Sequence, residues 1–375
     1  MRPQRHLHEL LRKGSLAVTT TNPPVSSESL PSGSTKPPAA QIRTVVLRWP
    51  GTPIIALFGA VLVVCTVLRP AFLTAPSLSG FLSIFAPTIC LAIGVSFVML
   101  VGSIDLSIGP MMGFANILTV LLGSVGWQLF SAGPSGAAAS CSTEGVCTQG
   151  LPFGVAATLA IVVTAIFGLL NGILVAVVRL QPLLATLASG FVATGLGLWF
   201  FPKPGGRVSP DAVGNYGAPH LLSLPLVAIA TIVVVSLVLS KSPLGVLMRA
   251  VGSDRTRAYS ARIRVSWVTI AAFTTSGVFA GIAGVLFTLS VASADPTVGV
   301  TFTLNAIAGA VLGGAALKGG RAEPIGPLFG AATLGLVGVL IDALDIPTYY
   351  QQLASGIVIV LALASTARTA QRRKV

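Results

Sequence analysis

Histidine is almost missing from this 375-residue chain: His6, His8 and His220 are the only three. Acidic residues number ten and cysteines four. Chemistry that needs a nucleophile with its base, or a cluster of metal ligands, cannot be assembled from so sparse a set. No G-x-x-x-x-G-K-[ST] run occurs. The nearest Gly-rich stretch, GAVLGGAALKGG, carries Lys318 at the wrong spacing with no Ser or Thr behind it. The chain therefore binds no nucleoside triphosphate by that route, and it is read as having no catalytic residue, no bound cofactor and no metal. Charge is scarce too, at 9% of residues against 53% hydrophobic, and mean hydropathy is +0.89. An ordinary water-soluble domain does not have that balance.

What is present is a series of uncharged apolar runs, each long enough to cross about 30 Å of hydrocarbon as a helix. Helices satisfy every backbone donor and acceptor within the segment, so the expected fold is an all-α polytopic membrane protein. About ten spans are expected, near residues 53–68, 81–101, 108–130, 151–178, 183–201, 221–240, 267–290, 304–317, 326–344 and 352–367. The run 304–317 is short enough to be re-entrant. Charge supports ten crossings with both termini cytoplasmic. Of the 23 Lys and Arg, that topology places all but Arg69, Lys203 and Arg207 inside. The formal charge of +13 is then a topological signal, and a nucleic-acid partner is not expected.

Three regions follow: a disordered, Ser/Thr/Pro-rich cytoplasmic tail over 1–50, a transmembrane domain over 51–367, and a basic cytoplasmic end over 368–375. Cys65 and Cys90 fall inside apolar spans, where a free thiol behaves as a small hydrophobe. Cys141 and Cys147 fall in a polar outer loop and are expected to form a disulfide, with two unpaired thiols the alternative.

Two polar segments interrupt the apolar pattern. Lys241–Ser266 carries Lys241, Arg249, Arg255, Arg257, Arg262 and Arg264 against one acid, Asp254. It is either the place where a soluble partner docks or an anchor on lipid phosphates. In Val101-Gly-Ser-Ile-Asp-Leu-Ser-Ile-Gly109 an acid, Asp105, lies between two spans with glycines on both sides. Either Asp105 with Ser103 and Ser107 caps the next helix at the cytoplasmic interface, or the segment is a broken helix on a transport path. Ser293-Ala-Asp-Pro-Thr-Val-Gly299 should join two spans on the outer side. The small residues of Ala306-Ile-Ala-Gly-Ala-Val-Leu-Gly-Gly314 should pack helices closely, within the chain or at a subunit interface.

These segments resemble one family, the permease subunits of ATP-binding-cassette importers for monosaccharides of the ribose and xylose type. The GSIDLSIG run is similar to that family's Gly-Gly-Ile-Asp-Leu-Ser-Val-Gly signature. Asn171-Gly-Ile-Leu-Val175 and Gln181-Pro-Leu-Leu-Ala-Thr-Leu187 look like its Asn-Gly-Leu-Leu-Val and Pro-Phe-Ile-x-Thr-Leu blocks. Ser276–Gly284, ADPTVG and AIAGAVLGG continue in the family's order, so the likeness covers residues 55–367. Ser103 replaces the signature's second Gly. Gly252-Ser253-Asp254 and Arg257-Ala258 depart from the basic-loop pattern, and Thr303-Leu304-Asn305 replaces a usual Glu-Leu-Asp.

The resemblance implies import of a pentose or hexose across the bacterial cytoplasmic membrane. It also implies a second permease copy, a separate ATPase subunit that uses ATP and Mg, an extracytoplasmic solute-binding protein, and lipid around the spans. Gly245, Arg249, Gly252, Asp254, Arg255, Arg257 and Arg262 would form the ATPase-docking segment. Asp105, Ser107, Asn171, Thr186 and Asn305 would line or gate the path. The alternatives are a permease for a nucleoside, an amino acid or another small polar solute, and an ion-coupled secondary transporter.

Overall fold

The computed structural model describes residues 52–125, 150–206 and 223–345, with a few isolated positions between and beyond them. The expected tail, the Cys141–Cys147 pairing, most of the tenth span and the basic C-terminal end lie outside the described residues. Helices make up the fold, and no strand occurs among the described residues beyond an isolated bridge between Gly205 and Ala294.

In chain order the helices are α1 (Thr52–Leu68), α2 (Ala75–Leu100), α3 (Ile108–Val125), α4 (Phe153–Ala176), α5 (Pro182–Phe200), α6 (Leu224–Lys241), α7 (Pro243–Ser253), α8 (Arg255–Ser260), α9 (Val265–Val291), α10 (Gly299–Leu312) and α11 (Ile325–Ala343). Nine of the ten expected spans correspond to α1–α6 and α9–α11 among the described residues. Six of these, α2, α4, α5, α6, α9 and α11, are long and apolar enough to cross a membrane by length and composition. Helix α10 has 14 residues, roughly 21 Å at 1.5 Å per residue, which is short of a full crossing.

Helix α2 is the most buried span, and α9 packs against α4, α2 and α3. The α4–α9 crossing is close because both helices offer glycine there: the place a Gly277 Cβ would occupy lies 2.4 Å from the Thr164 carbonyl oxygen. Without a hydrophobic drive between helices in lipid, such backbone proximity supplies the dispersion contact that holds them. The small-residue run of α10 does the same inside this chain. Gly309 faces Ala331, and Gly313 meets Gly326 of α11. At the end of the bundle opposite α7 and α8, Arg69 pairs with Asp342. Their side chains are 52% and 63% exposed, so the pair contributes only about 0–1 kcal/mol.

The polar segment Lys241–Ser266, expected to supply a docking helix, folds almost entirely into helix. Ser242 accepts from the Gly245 N–H at the start of α7, which buries Gly245, Met248 and Val251 along one side. The Asp254 carboxylate ends that helix and caps the next, accepting from the Thr256 and Arg257 N–H groups at 2.9 and 3.0 Å. The segment Ser293–Gly299 is more than an external link. It turns back into the bundle, so that Gly299 abuts Gly109 and Pro110 at the start of α3.

That contact exposes an internal repeat. Asp105-Leu-Ser-Ile-Gly109 recurs as Asp295-Pro-Thr-Val-Gly299, the first between α2 and α3 and the second between α9 and α10. Each aspartate Oδ1 accepts from the backbone N–H and the hydroxyl two residues on. The bonds are 2.9 and 2.5 Å from Ser107, and 2.8 Å for both from Thr297. The two turns break their helices from opposite ends of the bundle and meet at Gly109 and Gly299. There a Cβ on Gly109 would lie 2.0 Å from the Gly299 carbonyl oxygen. Paired discontinuous helices of this kind surround the central sites of many transporters.

Candidate functional site

Asp105 is fully buried at the centre of a polar cluster drawn from four elements. Its Oδ2 accepts from the Ser276 hydroxyl of α9 at 2.7 Å. The Asn171 Nδ2 of α4 donates to Ser107 Oγ at 2.9 Å, and the Leu106 N–H donates to Thr186 Oγ1 of α5 at 3.1 Å. Ser276 lies roughly 16 Å along α9 from its start at Val265, so the cluster is deep within the bundle. Three donors converge on the carboxylate, and the N-terminus of α3 lies beside it. Together they replace water around the buried carboxyl group.

Of the two readings of Asp105, helix capping is present in the geometry, but the cap sits at depth rather than at an interface. Four of the five residues expected on the path (Asp105, Ser107, Asn171 and Thr186) are brought together. Asn305 is not; it is half-buried on α10 and takes no part in these bonds. Ser276 completes the cluster and was legible only as part of a block of small residues.

A groove of about 340 Å³ opens between α4 and α5. Four leucines and Phe167 make up half of its lining, with Asn171 and Ser189 as its polar members. The Asn171 Oδ1 is buried and has no hydrogen-bond partner. An unpaired amide oxygen is costly to bury and can accept from a hydroxyl brought to it.

Asn116 of α3 is a second polar fastening that sequence reasoning missed. Its Nδ2 donates to Thr288 Oγ1 and to the Ser293 carbonyl, each at 2.9 Å, while its Oδ1 accepts from the Asp295 N–H at 2.9 Å. One amide thus holds the re-entrant turn before α10. A lone Asn in an apolar run gives no sign of such a role except the cost of burying it unpaired.

The residues expected to dock the ATPase occupy one end of the bundle. Gly245, Arg249 and Gly252 lie on α7, Asp254 at the break, and Arg255 and Arg257 on α8. Arg262 lies in the turn after α8 with φ of 59°. Tyr259 is 78% exposed and Trp267 65%, so an aromatic and cationic surface faces outward. The Arg257 Nε donates to Asp254 Oδ2 at 2.7 Å. Hydrogen bonds from Arg257, chiefly its backbone N–H, hold the Asp254 carboxyl below its ordinary range. The cap it provides is therefore present above the usual carboxylate pKa and is lost only as pH falls through the depressed value. Near neutral pH it is ionised.

Comparison with known proteins follows this layout. The family model described as "Branched-chain amino acid transport system / permease component" matches residues 77–363. The chain is 27% identical over 307 residues to the ribose import permease protein of Haemophilus influenzae, covering 80% of this chain and 88% of the relative. It is 29% identical over 319 residues to the ribose import permease protein of Bacillus subtilis, covering 83% and 90%. The L-arabinose ABC transporter permease protein of Azospirillum brasilense is 28% identical over 324 residues, covering 85% and 88%. No solved structure matches the chain.

Proposed function

The chain belongs to the branched-chain amino acid transport system / permease component family, and from that membership we propose that it is the membrane-spanning subunit of an ATP-binding-cassette importer for a monosaccharide. The observation that carries the substrate class is the likeness, over most of the chain, to permeases named for ribose and arabinose. The family description itself names amino acids, which keeps an amino acid as the second reading. The protein works as a multi-pass component of the bacterial cytoplasmic membrane.

The α7–α8 end is cytoplasmic in this reading, as the cationic residues gathered there require. A separate ATPase subunit binds this surface and uses ATP and Mg, while a solute-binding protein delivers the sugar at the opposite end. A second permease copy completes the assembly. The permease carries out no covalent chemistry. It offers buried hydroxyl, amide and carboxylate groups to an uncharged, hydroxyl-rich solute and alternates their access between the two sides.

Isolation of the tagged chain from its native membrane in mild detergent tests the assembly. A Walker-motif ATPase is expected by mass spectrometry in about equal amount to the permease. Isolation of the chain alone from several mild detergents would contradict the importer reading and favour a stand-alone carrier.

A further inference from the structure

The docking segment touches the Asp105 segment through close main-chain packing, with the Arg255 side chain beside it. Three turns that are distant in sequence meet at one point: the end of α2 with Val101 and Gly102, the end of α7 with Gly252, and the turn Lys318–Gly320 between α10 and α11. The Gly320 N–H donates to the Leu100 carbonyl at 2.9 Å. The place of a Gly252 Cβ is 1.7 Å from that same carbonyl oxygen and 2.5 Å from the Gly320 nitrogen. A Cβ on Gly319 would lie 2.8 Å from both the Gly102 nitrogen and the Gly252 oxygen. Gly102, Gly319 and Gly320 have φ of 73°, 91° and 77°, a region that favours glycine. The Arg255 guanidinium donates to the Val101 carbonyl at 3.3 Å, so α8 is tied to the same turn.

From Gly102 the chain runs through Ser103 and Ile104 directly to Asp105. Side chains between two elements absorb small displacements by changing rotamer, whereas main chain packed on main chain cannot. We infer that the Gly102–Gly252–Gly319 junction, with Arg255, is the mechanical link that carries movement of α7–α8 to the Asp105 turn, and hence to Ser276, Asn171 and Thr186. The inference rests on the reading of α7–α8 as the ATPase-docking segment. It assigns Gly252 and Arg255 as positioning residues for the buried cluster, separate from any contact they make with the ATPase.

The test is sugar uptake per ATP hydrolysed, measured for the complete complex in proteoliposomes. For Gly252→Ala, uptake per ATP hydrolysed should fall at least about tenfold below wild type, the range of a lost coupling term. Arg255→Lys keeps the docking charge but gives up the guanidinium reach, and should lower the ratio about threefold. A wild-type ratio in both variants would overturn the inference and leave the importer reading intact. If Gly252→Ala fails to reach the membrane, Arg255→Lys decides by the same ratio, since it alters no backbone packing. A wild-type chain that recruits no ATPase would overturn both.

Discussion

Replacing Asp105 with alanine is expected to abolish uptake and to lower the amount of protein in the membrane several-fold. The Ser107 N–H, the Ser107 hydroxyl and the Ser276 hydroxyl all donate to this one carboxylate, and the residue is fully buried. Alanine strands these donors, and each buried unsatisfied group costs about 1–3 kcal/mol. The sum is a large share of the roughly 5–15 kcal/mol that holds a domain folded, so abundance falls with stability. Asp105→Asn separates the two effects. It keeps the shape and one acceptor oxygen, so membrane level should stay within about twofold, but its amide NH₂ opposes a donor and uptake should fall at least about tenfold. Detergent-extracted yield of a fluorescent fusion, read beside uptake, measures both. Wild-type uptake by the alanine variant would mean that the cluster is neither structural nor on the path.

Reversing charge at Arg255, Arg257 and Arg262 together is the second large effect. All three are exposed at the α7–α8 end. The one ion pair disturbed, Arg257 with Asp254, has an Arg side chain 88% exposed, and such a pair contributes at most about 1 kcal/mol. The bundle should therefore remain folded, with membrane abundance within about twofold of wild type. Binding of an ATPase to this surface loses three cations and gains three anions, and like-charge juxtaposition across an interface costs several kcal/mol. Recovery of the ATPase with the permease should fall at least about tenfold, and uptake with it. Normal uptake at normal abundance would remove the docking role from this surface.

The spans were legible because lipid leaves a chain few options: nine of the ten apolar runs fall on helices among the described residues, with ends displaced by a few residues. Asp105 was legible as costly and therefore informative. Its partners Asn171 and Thr186 came from block resemblance, and Ser276 was hidden because a serine among small residues reads as packing. A docking helix was expected between Gly245 and Ala261; its division into α7 and α8 was not, although Ser242 and Asp254 stand at their N-termini with a Pro just inside the first. The repeat of Asp105–Gly109 in Asp295–Gly299 was present in the letters throughout. Its meaning needed the fold, since only there do Gly109 and Gly299 touch. Asn305, expected with Asp105 on the path from its place in a block, lies on α10 outside the Asp105 hydrogen bonds.

Import of a monosaccharide by an ATP-driven complex is tested most directly by reconstituting the permease with its co-purified ATPase in vesicles and supplying labelled ribose, xylose or arabinose with the solute-binding protein. The account predicts accumulation that requires both the binding protein and ATP inside the partner's compartment, and that stops with a hydrolysis-defective ATPase. Accumulation driven by a proton or sodium gradient without ATP would contradict it.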